Sequence, residues 1–365
     1  MSLKVLQIVP RLAPAITGVG DYAYLLAKEL RASHSIETSF LVCDPSWEGG
    51  REFEGFVVER LETRTCGELE TKLSANGMPS IVLLHYVGYG YEKRGCPLWL
   101  TRGLDSWKRL AARSRLVIMF HELYAFGPPW RSSFWASYLQ RRLVAQLATL
   151  ADYCITNMRR FAEWLVDKGV RHKHRLDALP VFSTIGEVTV NWQLSARAPR
   201  MIIFGGTKWA DSLLKQYQDE TLACCRALGM QEIVTIGSPI GTAPVNLPIQ
   251  VTEKGFLSAN EIVDLISTSR VGLMDYFPGY LAKSSVYAAY AALGILPILP
   301  RHNPSEADGC NAGVTYLTPD QIKSSMSVEA LQQVADNARE WYRKHNLSHT
   351  ALAYAKLLRE CQPSC

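Results

Sequence analysis

The sequence predicts an α/β protein of two doubly wound domains, each a mostly parallel sheet with helices on both faces. Three observations carry this expectation. Short runs rich in Val, Ile and Leu alternate with segments of helical spacing, and the alternation restarts after Pro180. The 365 residues are 48% hydrophobic and 20% charged, enough for two full cores at roughly 100 to 200 residues per domain.

In the first half, residues 4–9, 36–43, 81–85, 116–120 and 153–156 read as strands buried on both faces, being continuously apolar rather than alternating. Segments 21–30 and 134–150 have helical spacing. In the second half, strands are expected at 201–204, 232–236, 272–274, 295–299 and 314–317, with helices at 211–228, 260–268 and 284–293. Segment 181–199 is weakly periodic and ends in Ser195-Ala196-Arg197-Ala198-Pro199, which places the interdomain connection there. Beyond Ser327 the chain reads as helix nearly to its end. Ligands of open α/β sheets sit outside the carboxyl ends of the strands, so the two domains are expected to face each other across a cleft.

Composition narrows the function classes. The apolar core after Met1 is five residues long, too short for a signal peptide, and the longest apolar stretch, 286–300, is broken by Gly294 and Pro297. A cytoplasmic protein is expected. Nine scattered cysteines without a Cys-x-x-Cys argue against a disulfide framework or a zinc site. Net charge is +5, but between Lys93 and Arg175 there are 16 basic against 5 acidic residues, including Arg141/Arg142, Arg159/Arg160 and Arg171/Lys173/Arg175. Such a tract suits peripheral contact with the inner face of an anionic membrane or an anionic ligand; it serves equally as solvated helix faces.

Several turns carry candidate chemistry. Thr17-Gly18-Val19-Gly20 opens the first helix, where free amides and the helix dipole favour an anion. The same residues match a loose dinucleotide fingerprint, with Asp44 placed as a ribose-binding acid, although Pro10 to Thr17 intervene between strand and glycine. His121-Glu122 ends the strand at 116–120; a histidine there can bond a hydroxyl or move a proton, with the carboxylate orienting it or acting as base, or it can simply close the strand. A turn at Gly127-Pro128-Pro129 follows. His85 ends the preceding strand before the aromatic loop Tyr86-Val87-Gly88-Tyr89-Gly90-Tyr91. Gly205-Gly206-Thr207-Lys208 runs a strand into a glycine pair, a hydroxyl and a cation. Asp275-Tyr276-Phe277-Pro278-Gly279-Tyr280-Leu281-Ala282-Lys283-Ser284-Ser285 leads into a helix, gathering two hydroxyls, a cation and backbone amides at one point. Each doubles as an ordinary cap, yet two anion-suited turns in one domain favour a nucleoside diphosphate.

Taken in order, these segments, with Gly255-Phe256-Leu257-Ser258-Ala259-Asn260-Glu261-Ile262 and the 288–299 stretch, resemble GT-B glycosyltransferases, particularly the bacterial retaining enzymes that assemble polysaccharides. The resemblance covers nearly the whole chain and implies two Rossmann-like domains. The first, 1–180, would hold a saccharide or lipid-linked saccharide acceptor and be completed by the terminal helix, about 341–365. The second, 181–340, would bind the nucleoside-diphosphate sugar, a UDP-sugar by its frequency in the class, with no separate cofactor.

By that resemblance Phe256 and Leu257 lie near the base, and Gly206, Thr207, Lys208, Tyr280, Lys283, Ser284 and Ser285 around the diphosphate. Gly18, Val19 and Gly20 approach the diphosphate, and His121 contacts the donor sugar. The family's paired glutamates before the helix glycine are missing: counting back from Gly294 gives Ala289 and Leu281. Lys208 and Lys283 are then the expected leaving-group cations, with retention, no metal, and Glu122 the base if the reaction inverts. No nucleic acid partner is expected. An NAD-dependent oxidoreductase or epimerase, and an inactive scaffold at a membrane surface, are the rival readings.

Overall fold

The computed structural model describes residues 3–75, 79–125, 130, 132–168, 177–188, 192–241, 247–300 and 306–362. The Gly127-Pro128-Pro129 turn and Arg171/Lys173/Arg175 lie outside them. In chain order the elements are β1 (Leu3–Val9), α1 (Gly18–His34), β2 (Ile36–Val42), β3 (Glu52–Phe53), β4 (Phe56–Arg60), α2 (Cys66–Ser74), β5 (Ile81–Tyr86), α3 (Gly88–Tyr91), α4 (Leu98–Leu110), β6 (Arg115–Phe120), α5 (Ser132–Leu150), β7 (Tyr153–Thr156), α6 (Arg159–Asp167) and β8 (Asp177–Ala178). They continue with β9 (Ala198–Gly205), α7 (Thr207–Asp211), α8 (Gln218–Ala227), β10 (Glu232–Gly237), β11 (Gln250–Glu253), α9 (Ala259–Ser267), β12 (Ser269–Leu273), α10 (Ser285–Ala292), β13 (Leu296–Ile298), α11 (Val328–Arg343) and α12 (Leu347–Glu360).

The chain forms two compact units, residues 1–180 with 347–365, and residues 181–346. In the first unit eight strands run β3-β4-β2-β1-β5-β6-β7-β8, parallel except for the β3–β4 pair. β5 is buried along its whole length, as a strand covered on both faces must be. The last helix, α12, packs on α1, where Tyr354 and Tyr22 bring their hydroxyls to 3.5 Å. The second unit has five parallel strands ordered β11-β10-β9-β12-β13. One of its core clusters joins Met201, Ile203, Leu213 and Ile233, the other Ile202, Val234, Tyr287 and Tyr290, so alternate residues of β9 and β10 feed the two faces.

Three expected elements differ. The helix at 211–228 is broken: a π-helical turn, Ser212–Gln216, and Tyr217 (φ −109°, ψ 34°) separate α7 from α8. The strand at 314–317 is a turn in which Thr315 Oγ1 accepts from the Asn311 amide (2.9 Å); it keeps isolated bridges, Leu317 to Ile298 and Tyr316 to Ala312. The terminal helix is two helices, and Trp341 belongs to α11, its indole donating to Asp308 O (2.9 Å) within the second unit.

Candidate functional site

Each sheet reverses its winding at one strand pair, β1/β5 in the first unit and β9/β12 in the second. The turns on either side of such a pair lead away in opposite directions and leave a crevice beyond the strand ends. Most of the predicted site residues fall at these two places.

In the second unit, β9 ends in Gly205 at φ +148°, where a Cβ would stand 2.5 Å from the Trp209 ring. Its register partner Gly237 ends β10 at φ +113°, and a Cβ there would meet the Gly205 carbonyl at 2.2 Å. The Gly237 amide donates to Gly255 O (2.8 Å). The turn after β10 thus packs backbone on backbone against the turn after β9, which only glycine at 237 permits, and a hydrogen bond ties the turn after β11 to it. Gly206, the N-cap of α7, is different: its φ is an ordinary −78°, it is exposed, and a Cβ would meet nothing within 4 Å. Lys208 close beside it is exposed as well. The side chain of Thr207 lies outside the described residues.

Trp209 meets Tyr276 edge-on at 5.5 Å, tying the turn after β9 to the one after β12. That second turn passes through a 3-10 segment, Pro278–Lys283, before α10. Tyr280 packs on Phe277 (5.7 Å), and Lys283 Nζ stands 5.6 Å from the Tyr280 ring, a cation–π arrangement. Ser284, buried, caps α10: its hydroxyl accepts from the Tyr287 amide (3.2 Å). The amides of Ser285 and Val286 have no acceptor within the helix and carry its positive end. Tyr290 anchors α10, its hydroxyl bonding Ile202 O and Leu273 O (3.3 Å each) and accepting from the Phe204 amide (3.0 Å). Gly272 makes room for that ring. Phe256 is 65% exposed after Gly255 (φ +64°), whereas Leu257 is half-buried against the core.

In the first unit α1 starts at Gly18, and its N-cap Thr17 accepts from the Gly20 amide (2.9 Å). Gly20 is required by packing, because a Cβ would stand 2.4 Å from Arg11 O. Its amide is committed, leaving those of Gly18 and Val19. Asp44 pairs with Arg11 and with Arg64 (3.3 Å) and accepts from the Ser46 amide (3.0 Å) and hydroxyl (2.8 Å). Burial would raise this carboxyl, but those hydrogen bonds and the guanidinium of Arg11 outweigh it and hold it below the usual carboxylate range.

His121 is buried, and its Nε2 lies 3.1 Å from His85 Nδ1; His85 Nε2 lies 2.7 Å from Gln7 Oε1. With Gln7 accepting, His85 carries its proton on Nε2, and His121 donates to Nδ1. Tyr22 stands edge-on to His121 (4.9 Å) and His85 (5.9 Å). Burial, and then His121, hold His85 well below its ordinary value, so it is neutral near pH 7. His121 is therefore the exit of a buried hydrogen-bonded chain. Glu122, part-exposed, follows it. Sequence reasoning noted both histidines but missed their direct link and Gln7 behind His85; a glutamine inside an otherwise apolar strand was the available signal. It also missed Gly237, whose place at a strand end beside the Gly205 turn marked it. Among the described residues no three His, Cys, Asp or Glu side chains are grouped to hold a metal ion.

No family model matches the sequence, and no curated protein matches it. Solved structures do. An α-glucosyltransferase in complex with UDP-glucose and DNA containing an abasic site matches at TM-score 0.60 and 12% identity, over 98% of this chain and 99% of that one. The α,α-trehalose 6-phosphate synthase of Burkholderia multivorans matches at TM-score 0.63 and 12% identity, over 99% of each chain. A putative UDP-N-acetylglucosamine 2-epimerase from Listeria monocytogenes matches at TM-score 0.63 and 13% identity, over 100% and 99%. The chain has the GT-B fold.

Proposed function

We propose that this GT-B chain is a glycosyltransferase that moves a sugar from a UDP-sugar to a saccharide or lipid-linked saccharide in polysaccharide assembly. The observation that carries the reading is the placement, at the β9/β12 switch point, of the exposed Gly206, Lys208, Lys283 and the N-terminus of α10. That edge offers dipoles and cations to a diphosphate. The similar α-glucosyltransferase solved with UDP-glucose adds support for a UDP-sugar.

In this mechanism the bond from the anomeric carbon to the diphosphate breaks, and negative charge grows on the departing oxygens. Lys208, Lys283 and the amides of Gly206, Ser285 and Val286 stabilise that charge, with Tyr280 holding Lys283 in place. In the retaining course the departing phosphate takes the acceptor's proton; Glu122 is the base if the reaction inverts. With its Nε2 proton given to His85, His121 accepts one hydrogen bond from a sugar hydroxyl, its ring fixed by His85 and Tyr22. Because protein cations neutralise the leaving group, EDTA is expected to leave turnover unchanged; loss of activity in EDTA alone would contradict this.

The first unit holds the acceptor. Trp135 (73%) and Tyr138 (76%) of its α5, and Trp130 (83%) just before that helix, are strongly exposed, and a groove of about 770 Å³ between α4 and α5 is lined by Leu98, Leu139, Arg102 and Arg142. Exposed aromatics beside arginines suit the headgroup level of an anionic bilayer. Among the described residues no helix is long and apolar enough to cross a membrane, so the contact proposed is peripheral. Co-sedimentation with anionic but not zwitterionic vesicles, lost in Trp135→Ala/Tyr138→Ala, is the expected result.

A second reading, epimerisation of the sugar on UDP, is favoured by the likeness to the Listeria protein. Incubation with UDP-glucose or UDP-N-acetylglucosamine and a saccharide panel separates the two: a glycosylated product with free UDP supports transfer, whereas an isomeric UDP-sugar without UDP release supports epimerisation.

A further inference from the structure

The first unit holds an open cavity of about 610 Å³ at its own switch point, between the turns after β1 and β5. Its wall brings together Arg11, Arg64 and Lys93, the carboxylates of Asp44 and Glu92, and the first turn of α1 at Gly18 and Val19. Three cations therefore face two anions. The balance is more one-sided than the count, because Asp44 is consumed. Both of its oxygens are occupied, one by Arg11 Nε and the other by Arg64 and Ser46, and its side chain is 5% exposed. A single buried carboxylate thus holds two guanidiniums in place and neutralises only one. Arg11 gives Asp44 its Nε, remains 49% exposed and lines the cavity, with its two terminal nitrogens left over from that pairing.

The end of α1 adds to this. Thr17 takes the Gly20 amide, whereas the amides of Gly18 and Val19 have no acceptor in the helix, and a Cβ at Gly18 would meet nothing within 4 Å. Tyr89, 46% exposed, also lines the cavity. A forked guanidinium, a second guanidinium, an ammonium and two unclaimed amides around one void form a receptor for an oxyanion, and an exposed aromatic beside them is suited to a sugar ring.

We propose that this cavity binds an oxyanion carried by a small saccharide, a phosphate or a carboxylate, and that the acceptor is therefore an anionic sugar. Arg11 and the Gly18 and Val19 amides contact the anion; Asp44 is a positioning residue that aims Arg11 and Arg64. The oxyanion site stands by itself, and its role as acceptor site rests on the transferase reading.

The test is calorimetric titration of the full chain, at fixed ionic strength and with saturating UDP present, using glucose 6-phosphate, glucuronate and glucose as probes. Glucose 6-phosphate or glucuronate is expected to bind at least tenfold tighter than glucose, and whichever binds tighter names the anion. Arg11→Ala is expected to weaken that binding at least tenfold, Lys93→Ala about threefold, and Lys283→Ala not at all. Arg11→Lys keeps the charge on Asp44 and loses the fork, so weakened binding in that variant, with an unchanged melting temperature, separates recognition from folding. Equal affinity for glucose and the anions, no binding of any probe, or a loss in Lys283→Ala with none in Arg11→Ala would each overturn the proposal. These titrations require no turnover: failure to transfer sugar with the anion site intact would contradict the transferase reading alone.

Discussion

Replacing Lys283 with methionine removes one charge while keeping most of the side chain's bulk. In the fold, the lysine contributes a cation–π contact at 5.6 Å from a half-buried position, worth about 1 kcal/mol or less. In a unit of this size that lowers the melting temperature by about 4 °C at most. Against a diphosphate the arithmetic differs. A unit charge about 4 Å from one negative charge, at an effective dielectric of about 20 to 40, is worth about 2 to 4 kcal/mol. Because charge grows on the leaving oxygens only as the bond breaks, most of that loss falls on kcat, a decrease of about 30- to 1000-fold, with a smaller change in KM. Steady-state release of UDP, measured beside a thermal melt, reads both quantities. A kcat within threefold of wild type in a folded Lys283→Met protein would refute the assignment of leaving-group stabilisation to this residue.

Gly205→Ala is expected to destabilise by about 1 to 3 kcal/mol, since it combines φ +148° with a clash on Trp209. Gly206→Ala, with open space at its Cβ, should stay within about 1 kcal/mol of wild type in a chemical melt yet weaken UDP binding about tenfold. Burial raises the Asp21 carboxyl from 3.8 to about 6, so between those values the native state binds more protons than the unfolded chain and stability falls as pH rises. Asp21→Asn should therefore match wild type near pH 4 and exceed it at pH 7, by on the order of 1 kcal/mol after allowance for solvent screening. His85 has the opposite sign. It is held well below 6.5, so the unfolded chain binds the extra proton, and stability drops as pH falls below about 6.5 by up to about 1.4 kcal/mol per pH unit. His85→Gln should flatten that acid limb in melts between pH 5 and 7; an unchanged slope would remove His85 as its source.

The buried strands were legible because a parallel sheet covered on both faces demands continuous apolar runs, and 153–156 and 81–85 show such runs. Short edge strands left no such mark: β3, β8 and β11 span two to four residues and are partly exposed or polar. The broken helix at 211–228 kept its apolar spacing across the π turn, because Leu213 and Leu214 stay in the core while the backbone is rewound beneath them. The turns at Gly205 and Lys283 were legible as glycine, cation and hydroxyl at strand ends. Their union was not, since it depends on Trp209 meeting Tyr276 and on Gly237 closing against Gly205, contacts between segments far apart in the chain. The glycine at position 20 was read as a ligand contact, whereas the structure gives it a packing reason at Arg11 O.

Titration of the intact chain with UDP, UDP-glucose, GDP and NAD, each with and without EDTA, would decide whether the second unit cradles the diphosphate of a nucleotide sugar. UDP and UDP-glucose are expected to raise the melting temperature equally in both buffers, with the shift weakened in Gly206→Ala and Lys283→Met. A shift with NAD alone, or none with any nucleoside diphosphate, would contradict a diphosphate cradle there.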